Sequence, residues 1–296
     1  MNKYTLKKDD RTIKCVDFNN LLEEYDYIIK NKDNYLYQYN IQKVDLKNDF
    51  FGKYTLSETL NGMKYGFQDE TDYFLDTIVK INRTTDINNG LFMNYEGFAY
   101  DMGKVVSGEP ECCLNIGLPN STPYIKIYVD ISFSCIYKAE QIYNRGIAIT
   151  NLINTLLLNG VIVDLYFMEY NHQYDLDIMY TLKVDTTTLS ISCIAYLCTP
   201  DYFRKMGFIL IDLIRNKQSE DGRGNSTVLP FMLENFKKNK IFFIGGSYTN
   251  EKFCKNLQNI NVANNYLINM FNKFCKDNEI SISLFNNQNI DKIEIL

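Results

Sequence analysis

The sequence has no tryptophan, one histidine and five prolines, and none of its eight cysteines forms a C-x-x-C pair. Each scarcity argues against a class of protein. The single His172 has no cysteine at finger spacing, so the zinc-finger and zinc-ribbon patterns are missing. Most of the cysteines sit within apolar runs, where a free thiol behaves as a small buried hydrophobe. No run of about 18 apolar residues is present to span a bilayer, and the opening MNKYTLKKDDRTIK lacks the apolar core of a signal peptide. No lysine/arginine run occurs and the net charge is −5, so nucleic acid is not an expected partner. The glycines of Gly222-Arg223-Gly224 lack the spacing of a phosphate loop. A reduced, soluble, intracellular protein without membrane attachment is the simplest expectation.

What is present is an ordinary globular balance, 46% hydrophobic and 23% charged, with aromatic packing left to 23 Tyr and 19 Phe. Abundant Asn, Lys and Ile suit an AT-rich genome and speak of ancestry. Two textures divide the chain. Residues 1–122 are polar and broken into short elements, and read as an N-terminal α+β accessory region. Asp17-Phe18-Asn19-Asn20 caps a helix running through Ile28 and Ile29; a second short helix ends at Gly66. Residues 69–81 put Phe74, Leu75, Ile78 and Val79 on one helical face. Strand and turn follow from Phe98 to Glu111, and Gly117 to Pro123 is the best boundary.

Residues 123–296 alternate strand and helix. The apolar run 124–131 has the length of a buried strand, expected at the centre of its sheet with helices on both faces. A helix over 138–158 stops at Gly160. Strands over 161–168 and 179–184 are close enough to form an antiparallel hairpin. A helix opens at Pro200, a loop covers 218–226, and strand 240–246, helix 262–275 and strand 280–285 complete the pattern. This alternation predicts an α/β fold with a mostly parallel, doubly wound sheet.

The first of these strands ends in Asp130-Ile131-Ser132-Phe133-Ser134, a D-x-S-x-S sequence followed by a long helix. A carboxylate and two hydroxyls on alternate residues of one strand-to-loop turn can converge on a hard cation, at the sheet edge where open α/β folds bind ligands. The motif and the element order after it resemble the von Willebrand factor type A domain and its metal-ion-dependent adhesion site. The resemblance implies a site of Asp130, Ser132, Ser134 and Thr199, holding Mg²⁺ or Mn²⁺. Gly245 and Gly246 stand where the family carries a further Asp, so the site is degenerate and the metal weakly held. It also implies a protein-binding role, since intracellular relatives of this fold serve as adaptors beside AAA+ ATPases. A second resemblance, carried by Ser107 to Cys112, Arg145-Gly146 and Pro200 to Arg204, is to an uncharacterised family of bacterial and phage proteins. It implies a phage or mobile-element origin and, with it, the cytoplasm of a bacterial host.

Three functions compete. A non-catalytic protein-binding module, docking an AAA+ ATPase or host factor, ranks first. A metal-dependent hydrolase would need Asp130 to converge with Glu109 or Glu111, although carboxylates flanking Pro110 also suit a solvated turn. A phage structural or host-takeover assembly protein is the third. His172 in a polar hairpin reads as a surface residue, and the Cys112-Cys113 pair has no neighbouring base in sequence.

Overall fold

Residues 2–18 form two strands, β1 (Asn2–Lys8) and β2 (Arg11–Phe18), whose side chains alternate between two apolar surroundings. Ile13 and Cys15 point to one side of the sheet, Val16 and Phe18 to the other. A computed structural model describes residues 1–8, 11–33, 50–84, 91–94, 99–100, 113–116, 123–134, 136–173, 176–184, 186, 191–216, 228–247, 249–280 and 282. In it the chain is a mixed α/β protein with a mostly parallel six-stranded sheet.

The remaining sheet strands are β6 (Tyr124–Asp130), β7 (Ile162–Gln173), β8 (Leu176–Val184) and β9 (Phe242–Ile244), in the order β1-β2-β8-β7-β6-β9. The hairpin is formed as expected, with β7 and β8 antiparallel. β6 runs parallel to β7 and to β9, and β2 parallel to β8. The N-terminal residues thus share a sheet with the segment beyond Pro123. Their two strands extend it past β8, which leaves β6 interior but next to the β9 edge and not central. Strands β3 (Leu91–Asn94), β4 (Ala99–Tyr100) and β5 (Cys113–Ile116) make a separate antiparallel sheet.

The helices are α1 (Leu21–Lys30), α2 (Leu56–Tyr65), α3 (Gln68–Thr84), α4 (Ala139–Leu158), α5 (Ile191–Leu197), α6 (Gly207–Arg215), α7 (Pro230–Lys238), α8 (Glu251–Lys255) and α9 (Ile260–Asp277). Asn20 caps α1 by accepting from the Glu23 N–H, and Thr55 forms a capping box with Glu58. On α3 the buried stripe is Phe74, Ile78 and Ile81, while Val79 is exposed; the i, i+4, i+7 spacing selects Ile81 in its place. α4 is buried nearly all round, between the sheet and the helices around it.

The helices are shared unequally. Ile125, Ile127 and Val129 of β6 face a large core that includes buried residues of α1–α6, α8 and α9. On the other face, among the described residues, only α7 contributes a helix, through Met232 and Phe236. The β6 run is therefore not buried equally on both sides: Lys126 and Tyr128 stay half-exposed. Expected strand residues 283–285 and the loop 218–226 lie outside the described residues.

Glu24 of α1 is fully buried, its carboxyl accepting from the Tyr202 hydroxyl at 3.0 and 3.1 Å. Burial pushes its pKa up to about 8, against the smaller opposing effect of that hydrogen bond. A carboxyl raised in the folded state favours folding most at low pH. That contribution declines as pH rises from the unfolded value through about 8. Glu24→Gln should remove this slope. The variant should match wild type in Tm near pH 4.5 and exceed it increasingly up to pH 9, the underlying stability difference reaching a few kcal/mol at most, on the order of 1.4 kcal/mol per pKa unit. A constant Tm difference across that range would refute the assignment.

Candidate functional site

Parallel strands β6 and β9 end side by side, and the chain closes the gap between them with its own donors. Asp130 and Ser132 are buried. One Asp130 carboxylate oxygen accepts from the Ser132 N–H at 2.9 Å and the other from the Gly246 N–H at 3.1 Å. The Ser132 hydroxyl and the Asp130 carboxylate both lie against Gly246. Ser247 returns the contact, its N–H to the Ser132 carbonyl at 3.2 Å and its hydroxyl accepting from the Ser134 N–H at 2.7 Å. Gly246 is required by space: a Cβ there would lie 2.3 Å from the Ser132 carbonyl oxygen and 2.8 Å from Asp130 Oδ2. Burial pushes Asp130 up to about 6, opposed by these hydrogen bonds and by Arg145.

The structure thus brings Asp130, Ser132 and Ser134 to one turn opposite Gly246. It leaves Thr199 elsewhere in the hydrogen-bond scheme, where its hydroxyl donates to the Tyr196 carbonyl at 2.7 Å and accepts from the Tyr202 N–H at 3.2 Å. The second bond caps the helical segment that starts at Pro200, and the first satisfies a carbonyl at the end of α5. A six-coordinate cation needs several oxygens open to one point. Each Asp130 oxygen accepts one backbone N–H group and Thr199 serves helix ends, so the chain's own groups hold this turn. Glu109, Glu111 and Cys112 lie outside the described residues. His172 contacts the buried Asp177, which Arg11 also approaches at 3.6 Å.

Two buried arginines hold the turn in place. Arg145 donates to the carbonyls of Asp130, Gly245 and Ile244 at 2.6, 3.2 and 3.3 Å. Arg204 donates to the carbonyls of Tyr137, Phe50 and Ser134 at 2.7, 2.8 and 3.4 Å. Arg204 lies in a π-helical turn, Tyr202–Met206, that precedes α6. At the start of that segment Asp201 accepts from the N–H groups of Lys53 and Tyr54 and from Lys205. Gly52, at φ +97°, passes so close that a side chain there would strike Asp201.

The opposite, thinly covered face of the sheet holds a cavity of about 840 Å³, within the range of ligand sites. Its floor includes Tyr4, Asp17, Tyr166 and Thr181, and α7 forms its wall. Tyr128 and Tyr166 stack with ring centroids 4.7 Å apart and planes at 9°, and Phe236 lies 5.1 Å from Tyr128. Asp164 anchors the outer end, accepting from the hydroxyls of Tyr124 and Tyr166, each at 3.1 Å, and pairing with Lys183 at 3.2 Å and Lys126 at 3.8 Å. Sequence reading missed this site because 124–131 looks uniformly apolar. The available signal was the alternation of Tyr124, Lys126 and Tyr128 with Ile125, Ile127 and Val129.

A family model described as a domain of unknown function (DUF7192) matches residues 7–242, from within β1 to the start of β9. No curated protein and no solved structure matches the chain.

The close approach at Gly246 yields a direct test. Gly246→Ala should destabilise the protein by about 3 kcal/mol, the upper part of the overpacking range, seen as a lower urea midpoint. Gly245→Ala should cost clearly less, because its nearest neighbour is a Thr249 side-chain carbon at 3.0 Å. Equal costs for the two variants would contradict the packing described.

Proposed function

The chain belongs to this DUF7192 family, and we propose that it is a non-catalytic protein-binding module on a von Willebrand type A-like frame. The observation that carries the reading is the cavity of about 840 Å³ on the half-covered sheet face, edged by the exposed Tyr4 and the half-buried Tyr166 and Phe231. Aromatic side chains offer large, rigid contact area at small entropic cost, which suits a protein interface. Support for the frame comes from the order β8-β7-β6-β9 with an antiparallel β7–β8 hairpin. The long α4 after β6, and Gly246 opposite Asp130, point the same way. In this reading the D-x-S-x-S turn serves the frame, and binding is carried by the groove. The partner is an AAA+ ATPase or a host factor, as the resemblance implies, and the setting is a phage or mobile element in a bacterial cytoplasm. Among the described residues no helix is long and apolar enough to cross a membrane.

Affinity capture from native cells tests the reading. Wild type should retain a partner in stoichiometric amount. Tyr166→Ala should weaken it at least tenfold, a hot-spot loss of about 1.4 kcal/mol or more. Leu158→Asp, an exposed position at the end of α4, should have no effect. EDTA and Asp130→Asn should each leave affinity within twofold. Partner loss on chelation, or full binding by Tyr166→Ala, would overturn the groove as the interface.

A further inference from the structure

Three carboxylates sit on the groove face of the sheet: Asp17 on β2, Asp164 on β7 and Asp177 on β8. Alternation places them with Ile13, Met168 and Met179, which belong to the core on that side. Two of the three are neutralised by the chain. Asp164 holds Lys126 and Lys183, and Asp177 holds Arg11 and contacts His172. Asp17 differs. It accepts from a neutral hydroxyl, that of Thr181 at 2.6 Å, and Tyr4 lies close by. It is also the one of the three that lines the cavity. Among the described residues no ion pair joins this half-buried carboxylate on the cavity floor.

The aromatic surroundings favour a cation too. Tyr4, 41% exposed, and Tyr128 line the same cavity as Asp17. The ring faces of Tyr side chains attract ammonium and guanidinium groups. The chain already uses this chemistry at the other end of the same face, where Lys126 lies 4.8 Å and Lys183 5.8 Å from the Tyr166 centroid. Of the other charged groups lining the cavity, Lys183 is held by Asp164. Glu234 and Lys238, one turn apart on α7, line it from the wall with opposite charges.

We propose that the Asp17 end of the groove receives a basic side chain, lysine or arginine, from the partner protein. This rests on the binding-module reading and adds the chemistry of what is bound. The guanidinium or ammonium pairs with the Asp17 carboxylate, and the aliphatic stem packs along Tyr4 and Met179. The partner's surface there is basic, complementary to a chain of net charge −5.

Calorimetry or NMR titration of the full chain with acetylated, amidated pentapeptides Gly-Gly-X-Gly-Gly tests this. With X as arginine or lysine, binding in the millimolar range is expected; with X as citrulline, neutral and nearly isosteric, binding should be at least tenfold weaker. Asp17→Asn should abolish that preference. Should that variant fold poorly, Tyr4→Leu on the exposed edge strand should still weaken the arginine peptide about threefold. Equal binding of arginine and citrulline peptides, no peptide binding at all, or full affinity in folded Asp17→Asn would each overturn the inference. Agmatine binding tenfold tighter than the arginine peptide would assign the site to a small amine and overturn the protein source. The two readings fail separately. Peptides that do not bind while Tyr166→Ala still releases the captured partner would sink this inference and leave the binding module standing. An Asp17-dependent peptide preference without any captured protein would sink the binding module.

Discussion

One guanidinium sets the geometry of this fold. Arg145 projects from the second turn of α4 into the ends of β6 and β9, where the carbonyls of Asp130, Ile244 and Gly245 all accept from it. Carbonyls at the carboxyl ends of parallel strands run beyond the ladder, and if buried they need a donor. Burial lowers the pKa of Arg145, opposed by nearby groups that include Asp130, and the carbonyl oxygens keep the cation favourable. Removing it would orphan several buried acceptors at once. The same bonds fix how deep α4 lies against the sheet. α9 is then located by α4, through Asn144 to the Leu257 carbonyl and Asn151 to Asn264, both at 2.9 Å.

Because α4 gathers the other helices onto its own side, the two faces of the sheet differ in character. On the helical side even charged groups are buried, and they are paired within the fold: Asp201 with Lys205, Arg204 with three carbonyls. Such a network specifies one arrangement of α2, the π-helical turn and the 50–54 loop, since each partner left alone would be costly. On the other side α7 covers only part of the sheet. Tyr128 stacks on Tyr166 and under Phe236, while Tyr4 and Lys183 stand toward the cavity.

How much of this could be read from sequence follows from the range of each interaction. Helix 138–158 was legible from its apolar positions and Gly160, and the structure has it at Ala139–Leu158. The β7–β8 hairpin was legible from its short connection. Strand β2 was not, because RTIKCVDF places Ile13 and Cys15 on one face and Val16 and Phe18 on the other, with polar residues between. What makes it a sheet strand is parallel pairing with β8, far along the chain. Asp17 was taken with Asn20 as part of a helix cap. Asn20 does cap α1, but Asp17 is the last strand residue but one and turns to the groove. At the strand end the residues Asp130, Ser132 and Ser134 do meet, and the glycine seen as a missing ligand is a required close approach. A motif read by residue type shows which groups converge; it does not show that backbone N–H groups reach the carboxylate first.

That last point underlies the proposal that recognition resides on the groove face. A side chain can bind a partner only with polar capacity that the fold has not already used. At the strand end, the Asp130 oxygens, Ser132 and Thr199 are occupied by donors or acceptors of the chain itself. On the groove face, Asp17 accepts from the Thr181 hydroxyl and, among the described residues, forms no ion pair. Its position is well determined, because β2 is hydrogen-bonded on both sides, to β1 and to β8. A carboxylate carried on an interior strand moves less than one on a loop, so little ordering remains to be done when a partner arrives. The rigid helical face and the uncommitted groove face are thus two results of one arrangement. Placing α4 by Arg145 concentrates packing on one side and leaves the other side of the sheet free for contact.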